Sequence, residues 1–396
     1  MILAGLTACS GSLTKAPVSS SVTITPPKPV SVEGLIGRDL ISFDIYAEDD
    51  VVHAIFAAAT TKPKQPYVAY LRSDDGGRHW SVPASVGQYA DSTIESSAGN
   101  EIQIAASGDD LLAIWQVTGE IPGMGPLQAI YSVDGGGHWL KGANPTGAET
   151  DQSHPDLVAD NQGRFHLVWL DDRDENGYQG IRYARSSNAG ESWGLAQTID
   201  ASSCSCCWNR ALMGPDQQVN VLYRDMEPRD MALAQSKDGG KHWQSVSTVG
   251  EFNWVFDGCP HNGGGLAWAG DRLQALVWTG EESQAGLYHL FSSDDGKSWS
   301  LPQAMGGESL AFHSDIAGKD NGHVLAIWDA RGPDGSAVMI SESFDNGEHW
   351  TASHQVSTPG SSASFPRLLA TSNGWLAMWA EQKPGATKQW MSAVLQ

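Results

Sequence analysis

Residues 73–80 read Ser73-Asp-Asp75-Gly-Gly77-Arg-His79-Trp80, and five near-copies follow. They are Ser132-Val-Asp134-Gly-Gly-Gly-His138-Trp139, Ser186-Ser-Asn188-Ala-Gly-Glu-Ser-Trp193, Ser236-Lys-Asp238-Gly-Gly-Lys-His242-Trp243, Ser292-Ser-Asp294-Asp-Gly-Lys-Ser-Trp299 and Ser343-Phe-Asp345-Asn-Gly-Glu-His349-Trp350. All fit Ser-x-Asp-x-Gly-x-x-Trp, with Asn188 as the single substitution. Each copy is a turn staple: the acid bonds to backbone N–H groups, glycine accepts a positive φ, and tryptophan covers the hairpin.

The box serines recur every 50 to 59 residues, a period that signals an array of small β-units. The unit between 156 and 199 shows the content: Asp156–Asp160, a turn, Arg164–Trp169, a loop, Gly180–Arg185, the box, then Gly194–Ile199. Four antiparallel strands make one propeller blade. Counting boxes gives six blades. Counting first-and-second-strand pairs, from 40–56 through 367–379, gives seven. The seventh unit ends without a box or a fourth strand, so the preferred reading is seven blades, with the missing outer strand supplied by 22–32 because a ring must close its edges.

These octapeptides resemble the Asp boxes of the sialidase, or neuraminidase, superfamily, and the resemblance covers most of the chain. It implies an all-β propeller with the boxes on the blade periphery, away from any active site. The family holds a substrate carboxylate with three arginines, attacks through a tyrosine paired with glutamate and uses an aspartate as acid/base. Here the Arg-Ile-Pro element expected in the first blade is absent, and Leu40–Ile45 stands in its place. Arg210 and Arg367 suit an anionic ligand. Tyr223, Asp225 and Glu227, together with Arg224, Arg229 and Asp230, are the nearest match to the catalytic groups, although the same cluster reads equally as a salt-bridged loop.

Chemistry is expected where the units differ, at the entrances to the inner strands. Two successive entrances carry Cys204-Ser-Cys206-Cys207-Trp208-Asn209-Arg210 and Cys259-Pro-His261-Asn262, flanked by His154 and His313 in neighbouring units. Thiolates with imidazoles suit copper or zinc. Two disulfides pinning the fourth unit to the fifth, or a redox-active dithiol, use the same residues. By contrast, Trp115, Trp169, Trp278, Trp328 and Trp379 recur at one place in the unit and read as packing. His79, His138, His242 and His349 read as surface parts of the box, and the charged strand ends at 171–174 and 329–331 as solvated loops. Trp208 and Trp254 stand outside the repeat pattern.

With 24 Lys+Arg against 46 Asp+Glu and a formal charge of -22, a nucleic-acid or anionic-membrane partner is disfavoured. Leu6-Thr-Ala-Cys9 resembles a bacterial lipobox, implying lipidation at Cys9, an envelope location and membrane contact only through that anchor. The short, Lys/Arg-free run before it leads us to expect a start further upstream or a trimmed leader. The domain reading is a signal remnant at 1–9, a Ser/Thr/Pro-rich tether at 10–34 and the propeller at 35–396. The leading functional reading is a metal or small-anion site at the channel entrance. An exo-acting glycoside hydrolase of sialidase type and an envelope interaction scaffold are the alternatives.

Overall fold

The computed structural model describes residues 27–396 apart from 31–34, 61–65, 88–93, 120–124, 148–150, 176–177, 307–309 and 334. The lipobox cysteine Cys9 and most of the tether lie outside the described residues. Seven four-stranded antiparallel sheets form a seven-bladed propeller. The third blade shows the pattern: Gln152–Ala159, Phe165–Glu175, Tyr178–Ser186 and Gln197–Ser203 run from inside to outside. Its outermost strand begins three residues later than the alternation suggested.

Inner strands of consecutive blades pack side by side, and Asp39–Glu48 of blade 1 meets Ser362–Thr371 of blade 7 to close the circle. Blade 7 lacks a fourth strand of its own. Lys28–Pro29 supplies it by pairing antiparallel with Met391 and Ser392, as the open edge required. Segments from far apart in the sequence thus share one sheet.

The boxes do more than close hairpins. In the first copy Ser73 Oγ donates to Asp75 Oδ1 (2.8 Å) and accepts from the Gly77 N–H (2.9 Å), while Asp75 Oδ1 also accepts from His79 N–H (2.9 Å). The same serine bond recurs in all six copies, to an aspartate in five and to the amide oxygen of Asn188 in the third. Box glycines also lie against the preceding blade: a Cβ on Gly240, which has φ 82°, would sit 1.7 Å from Tyr183 Oη, and one on Gly77 would strike Leu376 of blade 7. Box tryptophans reach the same way, with Trp139 edge-on to Tyr70 and Trp243 to Tyr183. Repetition of the octapeptide is therefore repetition of the interblade joint.

The aromatics ending the second strands are core, as their periodicity predicts: Trp115, Trp169, Trp328 and Trp379 are buried, while Trp278 is half-buried. The acids beside them depart from the solvated reading. Asp171 and Asp329 are each 2% exposed, because both fold back into the blade ends. Asp329 Oδ2 holds His313 Nδ1 (2.6 Å) and the Phe365 N–H (3.0 Å).

Candidate metal centre at the channel mouth

Strand register arranges the channel wall. The residue opposite the one preceding the second-strand aromatic is Asp44, Gln103, Asp156, Arg210, Asp315 and Arg367 in blades 1, 2, 3, 4, 6 and 7. All six line a central cavity of about 320 Å³. Three of the acids also tie blades together. Asp44 accepts from Ile104 N–H (2.9 Å), Asp156 from Ala211 N–H and Asp315 from Leu368 N–H (2.9 Å), each on the next blade.

Both arginines are already paired with carboxylates, Arg210 within this ring and Arg367 with Glu101 of the adjoining layer. Arg210 lies 3.5 Å from Asp156 and 3.6 Å from Asp315, and Arg367 lies 3.2 Å from Glu101. Burial opposes the Arg210 charge, but Asp315 and Asp156 hold it more firmly protonated than usual. Burial likewise pushes Asp44 up to about 7, against the pull of Arg367 and the Ile104 N–H. Carboxylates outnumber guanidiniums here, so the ring is no trap for a carboxylate ligand. Tyr223 is buried with its hydroxyl donating to Asp200 (2.7 Å). Asp225, its carboxyl raised by burial to about 6, follows on the same strand end, and exposed Glu227 borders a separate cavity of about 240 Å³. These three do not line the channel cavity with the arginines.

Two residues before the channel position comes a second layer: Ser42, Glu101, His154, Trp208, His313 and Phe365. His154, His313 and Phe365 adopt φ values of 50°, 44° and 55°, and the ladder shifts register at each. Left-handed backbone at non-glycine residues is costly and concentrates at working sites. The bulge frees these side chains from the sheet alternation. His313 stacks on Phe365 with ring centroids 3.8 Å apart and lies 5.5 Å from Trp208. His154 is pushed down to about 4 by burial, which keeps its imidazole neutral.

The cysteines occupy two consecutive blade-to-blade crossovers on this face. Cys204 follows the outer strand Gln197–Ser203 of blade 3, and its N–H bonds to Arg224 O (2.9 Å). Its sulfur lies 3.6 Å from Cys206 Sγ and 3.2 Å from Cys207 Sγ. Those separations exceed the roughly 2.05 Å of a disulfide, and all four described cysteines are free. The three sulfurs lie within 4.8 Å of one another, and so do the ligand atoms of Cys206, Cys259 and His261. Cys206 belongs to both groups. Hydrogen bonds shared with Cys206 and Cys207 hold the Cys204 thiol far below its usual range, whereas the other two are pushed up, Cys207 chiefly by burial.

His261, with φ 50°, completes the outer group from blade 5. His154 is near enough to feel the charge of both Cys204 and His261. His313 stands apart, separated by Trp208 and fixed by Asp329. Sequence reading missed what lies behind the sulfurs. Arg224 is 1% exposed and donates to the carbonyls of Asn262 (3.0 Å), Arg229 and Trp278 (2.8 Å), and Arg229 donates to Phe256 O (3.0 Å). Neither guanidinium has a carboxylate at ion-pairing distance among the described residues. Around the cluster, Asn209 Oδ1 and both side-chain polar atoms of Asn262 are buried without a hydrogen-bond partner among the described residues.

The chain matches the BNR repeat-like domain over residues 44–252, more than half of its length, and belongs to that family. No curated protein matches it in sequence. Among solved structures, a PL25 ulvan lyase is similar in fold at 11% identity and TM-score 0.59, with 95% of this chain and 96% of that chain covered. YCF48 bound to a D1 peptide aligns at 14% identity and TM-score 0.55, covering 94% and 96%. A Hadza microbial sialidase aligns at 12% identity and TM-score 0.51, covering 86% and 73%. The sialidase-like propeller is thereby established as the architecture.

Proposed function

We propose that the protein is a metal-binding propeller of the cell envelope, anchored through Cys9, whose Cys/His cluster at the channel mouth holds copper or zinc. One observation carries the reading: Cys204, Cys206, Cys207, Cys259 and His261 arrive from two crossovers and place their ligand atoms in two overlapping groups, each within 4.8 Å. The donor set is soft and suits these ions. Orphaned polar atoms of Asn209 and Asn262 beside it fit a site that is completed by a ligand. Neutral His154 is a supplementary donor. His313, tied to Asp329 and stacked on Phe365, is not one of the grouped donors.

An exo-sialidase reading finds less support, because Arg210 and Arg367 are spent on internal carboxylates and the Tyr223 hydroxyl on Asp200. Glycan or peptide binding is a further reading, supported only by neighbours whose structures contain a GlcA–Rha3S saccharide or a D1 peptide. The test is metal content by mass spectrometry on protein exported into an oxidising envelope, with thiols counted under denaturation before and after chelation. Near-stoichiometric copper or zinc, with thiols released by chelation, supports the reading. Absence of metal together with absence of thiols would mean disulfides and end it.

A further inference from the structure

We propose that the cluster is a two-centre site, bridged by the Cys206 sulfur, that takes two monovalent soft cations of the Cu(I) type. The inference rests on the metal reading above and adds its stoichiometry and charge. The first argument is geometric. Tetrahedral ligands around one ion at about 2.0–2.3 Å stand less than about 4 Å apart. Mutual reach is met by Cys204, Cys206 and Cys207, and separately by Cys206, Cys259 and His261, but not by all five donors together. One ion cannot use the whole set, whereas two ions sharing Cys206 use every donor.

The second argument is charge. Arg224 and Arg229 are buried, with carbonyl oxygens as their hydrogen-bond acceptors among the described residues and the Trp254 ring beside Arg224, and are close enough to act on Cys207 and Cys204 respectively. A buried charge without a counter-ion is costly. Four thiolates balance two guanidiniums and two monovalent ions. Two divalent ions in the same places would leave an excess of two positive charges beside the buried guanidiniums, while a single divalent ion balances but leaves one centre empty. Three-donor thiolate centres also fit Cu(I) better than zinc, which takes four ligands.

The two centres differ in access. Cys204, Cys206 and Cys207 are buried, whereas Cys259 and His261 are exposed. The outer ion therefore exchanges with solution while the inner one is retained.

The test is anaerobic titration of the reduced full-length chain with Cu(I) and, separately, with Zn(II), read by native mass spectrometry. The expected result is two Cu(I) but one Zn(II) per chain at saturation. The double variant Cys259→Ser/His261→Ala, altered only at exposed positions, keeps one Cu(I) and an unchanged melting curve. A Cu(I) chelator should strip one ion from the wild type at least tenfold faster than the second. Saturation at one Cu(I), or two retained by the double variant, overturns the two-centre inference and leaves the metal reading standing. Failure to bind either metal overturns both.

Discussion

The six box turns and the two cysteine crossovers both connect strands of the same propeller, yet their short polar side chains, Ser and Asp in the one and Asn in the other, are used differently. In the boxes each serine and acid is spent on the turn itself, and glycine lets that turn close against the neighbouring blade. At the crossovers, among the described residues, Asn209 and Asn262 keep buried atoms without partners, and Arg224 and Arg229 carry charge without a carboxylate. A serine–carboxylate pair closed on its own turn needs nothing further and can be repeated. An open network marks the place where the protein awaits something.

The sharpest way to break this contrast is at the bridging sulfur. Cys206→Ser should remove both metal ions, lowering affinity by about 100-fold or more, about 3 kcal/mol, while the apo-protein melts within a few degrees of wild type. Equal loss of fold and metal would make Cys206 a packing residue. On the closed side, Gly240→Ala forces a methyl group into Tyr183 and a side chain into left-handed backbone. We expect a loss of about 2–4 kcal/mol in chemical denaturation, with metal stoichiometry unchanged in the folded fraction.

Ser132→Ala removes the acceptor of the Gly136 N–H and the donor to Asp134, so about 1–2 kcal/mol should go. Acidity separates the two regions again. Hydrogen bonds from His138 and Ser132 hold Asp134 at about 2, below its unfolded value. Its contribution is present above roughly pH 4 and lost as pH falls toward 2. Asp44 runs the other way: its folded value of about 7 exceeds the unfolded 3.8, so its contribution is full below pH 4 and lost as pH rises through 7. Denaturation midpoints of Asp44→Asn should therefore vary less between pH 4 and 7 than those of wild type; an identical slope would place the titration elsewhere.

How much of this was legible in the chain follows from the same contrast. The box is local in sequence, so its serine, acid, glycine and tryptophan announced both the hairpin and the period, and counting strand pairs gave the seventh blade that has no box. The cysteine entrances were legible because four thiols in two adjacent crossovers break the pattern. The channel ring was only half legible. Arg210 and Arg367 stood out as charges, but their partners Asp156, Asp315 and Glu101 come from other blades, and only strand register brings them together. Arg224 and Arg229 looked like loop charges because nothing local reveals that their guanidiniums turn inward to carbonyls of the next crossover. The aromatic that ends each second strand supplies the register mark from which such a ring can be read in other chains of this repeat.

X-ray absorption at the metal edge of the protein as isolated tests the central claim most directly. The account predicts sulfur scatterers at about 2.3 Å with a nitrogen contribution near 2.0 Å, the nitrogen falling in His261→Ala and the sulfur in Cys207→Ser. A metal shell made only of oxygen and nitrogen, or no metal beside fully oxidised cysteines, would contradict it.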